Sequence, residues 1–135
     1  MEYLVGAGLA LGVGVLATVV GLDRGRTFYP VVLIVIASYY DLFAVMGGAR
    51  ALPAETSALA VFVVLAVVGF KSNLWLVVAA LAGHGVFDLV HPSLIENQGA
   101  PGWWPMFCLA YDVAAGAYLA ARLLSSSPSR LRARP

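Results

Sequence analysis

Charge is scarce in this chain. Eight Lys and Arg and seven Asp and Glu make up 11% of its 135 residues, against about 25% in an average soluble protein. So few polar side chains cannot cover an apolar core, which excludes an ordinary soluble domain. The net charge of +1 also excludes a nucleic-acid partner, because phosphate binding relies on clustered Lys and Arg. The only basic cluster is Arg130, Arg132 and Arg134 in the tail. A single cysteine, Cys108, excludes an internal disulfide and a Cys-rich zinc site. Also missing are a phosphate-cradling glycine loop, a dinucleotide fingerprint and the metalloprotease pattern H-E-x-x-H. The alternating hydrophobicity of a transmembrane barrel is absent too.

What the chain has in abundance is apolar residues, 61% of the total, with a mean hydropathy of +0.90. They fall into five segments, about 4–20, 28–46, 52–70, 74–91 and 103–124. Each has the length, about 17–25 residues, that a helix needs to cross a hydrocarbon core. Helices are expected because backbone polar groups in lipid need partners within their own segment. The breaks carry turn-forming residues: Gly21 to Arg26, Gly47 to Pro53, Lys71 to Asn73 and Pro92 to Gly102. Lys71 to Asn73 is so short that the third and fourth helices must form a tight antiparallel hairpin.

The fold class expected is therefore all-α: a polytopic integral membrane protein, a single five-helix transmembrane domain over residues 1–124 with a Ser/Arg tail over 125–135. The first segment is expected to be retained as a membrane span and not removed as a signal peptide, since Met1-Glu2-Tyr3 has no basic residue and Arg24 and Arg26 follow the apolar run. It carries Gly6, Ala10 and Gly14 at four-residue spacing, a face on which another helix can approach closely. Packing within the bundle is the preferred use of that face over a dimer motif.

Basic residues set the expected orientation. On these spans Arg24, Arg26, Lys71, Arg122, Arg130, Arg132 and Arg134 share one side and only Arg50 lies on the other. The positive-inside rule then places the N-terminus outside and the C-terminus in the cytoplasm, as in a bacterial-type cytoplasmic membrane. Trp103 and Trp104 are expected at the outer interface, and Phe28, Tyr29 and Trp75 at the inner one. The tail is expected to be solvated.

Against this background five residues inside the spans stand out: Asp41 on the second helix, His84, Asp88 and His91 on the fourth, and Asp112 on the fifth. An ionised Asp at a helix centre costs about 2.5–3.5 kcal/mol on insertion scales, so these groups should face the bundle interior. His84, Asp88 and His91 have i, i+4, i+7 spacing and share an arc of about 60°. Counted from the outer helix ends, all five lie at depths of roughly 0–13 Å. One polar site open to the outer face is the simplest arrangement, with Glu55, Glu96 and Asn97 at its rim.

Three uses of such a site are open. As a metal centre, its N and O donors suit zinc, iron or manganese, with His84, Asp88 and His91 as ligands and Asp41 and Asp112 as base or completing shell. A membrane enzyme acting on a hydrophobic or lipid-like molecule would follow, and so small a bundle needs oligomerisation or a lateral opening to lipid. Without metal, the same Asp and His can exchange protons, for acid-base chemistry or in a small proton-coupled transporter. Structurally, Asp and His can bond Ser38, Tyr39, Tyr40 or Tyr111 to hold helices together, as in a non-catalytic subunit of a membrane complex. Cys108 is expected to be a small buried apolar residue rather than a nucleophile beside His84.

Overall fold

The computed structural model describes residues 1–126, so the arginine-bearing part of the tail lies outside the described residues. It has five α-helices, α1 (Glu2–Val20), α2 (Phe28–Met46), α3 (Leu52–Lys71), α4 (Leu74–Leu94) and α5 (Trp104–Ser125), with a 3-10 turn at Leu22–Arg24 between α1 and α2. All five are long and apolar enough to cross a membrane, and no strand occurs among the described residues. Their outward faces carry large apolar side chains such as Leu4, Val19, Met46 and Val64. That surface is far more extensive than the scattered patches of soluble monomers.

Local chemistry explains the helix ends. Gly21 closes α1 with φ 89°, its N–H donating to the Ala17 carbonyl, a left-handed cap that glycine adopts without a Cβ penalty. Pro53 and Pro105 lie in the first turns of α3 and α5, where the missing N–H costs nothing. The Asn73 side chain accepts from the Trp75 N–H at 2.9 Å and starts α4 two residues after α3 ends. α4 continues past His91 to Leu94 with Pro92 inside it. Proline's fixed φ is helical, so in a final turn it costs one hydrogen bond and not the helix.

The helices pack in the order α1, α5, α4, α3, α2, with α2 also touching α4. α1 buries only Gly6, Ala10, Gly14 and Ala17, and this small face lies against α5. A Cβ on Gly6 would run into the Phe107 carbonyl oxygen, and one on Gly14 would meet the Tyr118 ring at 3.0 Å. The small-residue spacing thus serves packing within the bundle.

Arg24, Arg26, Lys71 and Arg122 gather at one end of the bundle and Arg50 at the other. At the arginine end, Arg122 Nε donates to Asp23 Oδ2 at 3.1 Å and Arg26 donates to the Gly69 carbonyl at 3.2 Å. Thr18 Oγ1 donates to the same Asp23 oxygen at 2.6 Å, so α1 and α5 are tied by charge as well as by shape. Tyr29, expected at an interface, is instead buried, while Trp75 is exposed. Adjacent helical positions point about 100° apart, so only one of Phe28 and Tyr29 can face outward.

The interior is divided along its length. Leu33, Ala66, Val77, Leu81, Ala115 and Leu119 form an apolar core in the halves of their helices nearer the arginine end. The other half, below the α4–α5 loop, contains the buried polar groups: Glu55, His84, Asp88, His91 and Asp112.

Candidate metal centre

α4 supplies three of these groups because the 84, 88, 91 spacing keeps them on its buried face. His84, Asp88 and Asp112 come together where α4 packs on α5. The Asp88 and Asp112 side chains are 0% exposed and His84 1%. His84 Nδ1 lies 2.7 Å from Asp112 Oδ2 and 3.4 Å from Asp88 Oδ2. The three residues offer ligand atoms that all lie within 4.8 Å of one another. Gly85, beside His84, lets α5 come near: a Cβ there would meet Leu109 Cδ1 at 3.3 Å.

Tyr40 of α2 closes the cluster on the loop side, its hydroxyl donating to Asp88 Oδ1 at 2.7 Å. The Tyr40 ring also stacks on His91, centroids 3.9 Å apart and planes 23° from parallel. Phe62 meets the His84 ring edge to face at 4.6 Å, and Phe87 lies within 6.0 Å of it. Aromatic rings thus exclude water from the imidazole.

His91, expected as a ligand beside His84 and Asp88, is placed one turn further out. Its Nε2 lies 2.8 Å from Glu55 Oε1, and Tyr40 stands between it and the cluster. Glu55, expected at the rim, is buried. Asn97 completes this outer group, its Nδ2 donating to Glu55 Oε1 at 2.7 Å and to the Tyr40 carbonyl at 3.0 Å. Glu96 is exposed and does not join. Asn97→Ala removes both donations, but Glu55 Oε1 keeps His91 and the Tyr40 carbonyl keeps its helical donor, so the expected cost is about 1–2 kcal/mol, the net worth of two hydrogen bonds. The check is a denaturant titration in detergent, with faster amide exchange over residues 95–103 as the local signature.

Asp41 does not reach the cluster. It is half-buried against α3, where Thr56 Oγ1 donates to its Oδ2 at 2.9 Å. Tyr40 and Asp41 are neighbours pointing about 100° apart, and the inward face of α2 is Leu33, Ala37, Tyr40 and Ala44. That apolar face, legible at i, i+4, i+7 and i+11, is the signal that picks out Tyr40 over Asp41. Ser38 bonds its own helix at the Val35 carbonyl. The Tyr39 and Tyr111 hydroxyls make no hydrogen bond among the described residues. Cys108 is a buried free thiol.

The donor set fits a divalent cation. One imidazole nitrogen and two carboxylates are ligands that zinc, iron and manganese accept. Tetrahedral bonds of about 2.0–2.1 Å set ligand atoms about 3.3 Å apart. The 3.4 Å between His84 Nδ1 and Asp88 Oδ2 matches that edge. The 2.7 Å to Asp112 is a hydrogen-bond distance and must open by about half an ångström. Asp88 Oδ2 and Asp112 Oδ1 are buried with no hydrogen-bond partner among the described residues, as are Asp23 Oδ1, Asp41 Oδ1 and Glu55 Oε2 outside the cluster. Native structures rarely leave such atoms without a proton, water or ion.

No protein-family model matches the chain, and neither a curated protein nor a solved structure matches it.

Proposed function

We propose that the chain is an integral membrane protein, N-terminus outside and C-terminus cytoplasmic, that binds a divalent metal ion and acts on a hydrophobic or lipid-like molecule. The observation that carries this reading is the convergence of His84, Asp88 and Asp112, all buried, with ligand atoms within 4.8 Å of one another. A bilayer offers the two carboxylates no water, and a bound cation balances both charges. The orientation rests on the gathering of Arg24, Arg26, Lys71 and Arg122 at one end.

His84, Asp88 and Asp112 would hold the cation, which when bound supplies Lewis-acid polarisation of a substrate oxygen. Tyr40 orients Asp88 through its 2.7 Å hydrogen bond, as outer partners do for ligating carboxylates. Without the cation, Asp112 Oδ2 and His84 Nδ1, 2.7 Å apart, would share a proton instead. Phe62 and Phe87 keep the imidazole dry.

Elemental analysis tests the proposal, on protein purified in detergent without chelator and supplemented with zinc, iron or manganese. The expected result is about one ion per chain, as a closed structural or catalytic site holds. It is lost in His84→Ala and in Asp112→Asn, and kept in His91→Ala and Asp41→Asn. A monodisperse wild type without metal overturns it, as does undiminished metal in folded His84→Ala.

The second reading, a proton relay in a small transporter, is favoured by one observation: Asp112, His84, Asp88 and Tyr40 form an unbroken series of contacts at 2.7, 3.4 and 2.7 Å. Metal-free protein whose proton flux in liposomes disappears with Asp88→Asn would establish that reading instead.

A further inference from the structure

Beside the cluster, α2 and α5 diverge. α2 packs on α3 and α4, and α5 packs on α1 and α4, which leaves a groove of about 390 Å³ between α1, α2 and α5. That volume is within the range of about 300–1,000 Å³ typical of small-molecule sites. Val31, Val35 and Tyr39 form one wall, and Phe107, Cys108 and Tyr111 the other.

Three features define what the groove can hold. Its opening faces sideways: Leu9, Val31 and Val35, which line it, are about half exposed on the outer surface of the bundle. Its loop end is closed by Trp104, whose ring lies 5.0 Å from Tyr39 and 4.9 Å from Phe43. Its lining contains no Lys, Arg, Asp or Glu, so nothing in it recognises a phosphate or a carboxylate. Its side-chain N–H and O–H donors are the hydroxyls of Tyr39 and Tyr111, neither hydrogen-bonded among the described residues, and the indole N–H of Trp104, buried without a partner. In the apolar part of a bilayer, where water is lacking, an oxygen on the occupant would satisfy a hydroxyl that lines the groove.

The groove also adjoins the reactive groups. Cys108 is four residues before Asp112, on the same face of α5, and is itself buried. Its side chain is the partition between groove and cluster. The cavities at the loop end are of a different kind, lined by Arg50, Glu96 and Asn97 in one case and by His91, Glu96 and Asn97 in the other. They suit water and ions. An apolar lateral cavity and polar terminal ones thus flank the buried cluster without opening into it.

We infer that the groove between α1, α2 and α5 is the substrate site, and that it takes an uncharged long-chain molecule bearing a carbonyl or ester oxygen, admitted sideways from the bilayer. The alkyl chain lies along Val31 and Val35, and the oxygen accepts from Tyr39 or Tyr111. This deepens the proposed function and rests on its reading of a hydrophobic substrate.

Photolabelling tests it. The full chain is placed in nanodiscs of ether-linked phospholipid, so that the probe alone carries an ester. Two probes of equal length are compared, a long-chain methyl ester and an alkane, each with a mid-chain diazirine. The ester is expected to label the groove walls of α2 and α5 about fivefold more than the alkane, the factor one hydrogen bond contributes. Tyr39→Phe with Tyr111→Phe removes that preference. Val35→Trp, on an exposed position, fills the groove and removes labelling by both probes.

Labelling spread evenly over the exposed faces of α1 and α3, and unchanged by Val35→Trp, overturns the inference. So does equal labelling of the groove by ester and alkane, which removes the assigned substrate class. Metal content is measured on the same sample. Groove labelling without metal refutes the metal reading and leaves the groove standing, whereas metal without groove labelling refutes the groove alone.

Discussion

His84→Leu is expected to destabilise the fold by about 3–5 kcal/mol, the cost of removing one partner from a buried charged group. Asp88 and Asp112 are 0% exposed and would face each other with no cation between them. Tyr40 would still donate to Asp88, but Asp112 would lose its 2.7 Å hydrogen bond with the imidazole. Reversible unfolding in bicelles, by denaturant or steric trapping, measures the loss. The informative companion is the triple variant His84→Leu, Asp88→Leu, Asp112→Leu. Replacing a whole buried ionic group with apolar residues is commonly neutral or stabilising, so the triple variant should be at least as stable as wild type while binding no metal. Such an outcome would mean that the cluster is kept for chemistry. A triple variant less stable than His84→Leu would mean that the cluster holds the helices together. His84→Leu with wild-type stability would show that the carboxylates do not depend on the imidazole.

Gly6→Ala should have the next largest effect. The added Cβ would overlap the Phe107 carbonyl oxygen and lie 3.2 Å from the Tyr111 backbone nitrogen. Both are backbone atoms of a helix and cannot swing aside. α1 takes most of its packing from α5, so the two helices must separate along much of their length. The expected cost is about 3 kcal/mol, the upper part of the range for overpacking. Gly8→Ala is the control, since nothing lies within 4 Å of a Cβ there. In that position alanine should be neutral, or stabilising by up to about 1 kcal/mol through helix propensity. Equal stability of the two variants, measured side by side in detergent, would mean that α1 and α5 are not in close contact. Because the α1–α5 seam borders the lateral groove, Gly6→Ala should also disturb labelling there.

These expectations depend on different amounts of information. The number of helices and most of their ends were legible in the sequence, because a run of about 20 apolar residues can satisfy its backbone in lipid only as a helix. Gly21, Pro53, Asn73 and Pro105 punctuate such runs by strictly local chemistry. The buried stripe of α4 was legible too, because a period of 3.6 assigns His84, Asp88 and His91 to one face whatever lies opposite. The packing role of Gly6, Ala10 and Gly14 followed from their small size.

Partnership was decided only in three dimensions. His84 and His91 are equivalent candidates on the α4 stripe, yet one meets Asp112 and the other Glu55. That choice depends on the rotation and axial shift of α3 and α5 against α4, which are set by contacts between residues far apart in sequence. Tyr40 and Asp41 show the same limit at its smallest scale. One residue is a turn of about 100°, enough to put the hydroxyl on Asp88 and send the carboxylate to Thr56. Nor does any sequence pattern mark the lateral groove, because a groove is the space that two diverging helices fail to fill. The sequence by itself therefore determined that five helices exist, about where they lie, and that polar groups lie on the inner face of α4. Tertiary structure alone decided which of those groups meet, because helix formation is local and helix packing is not.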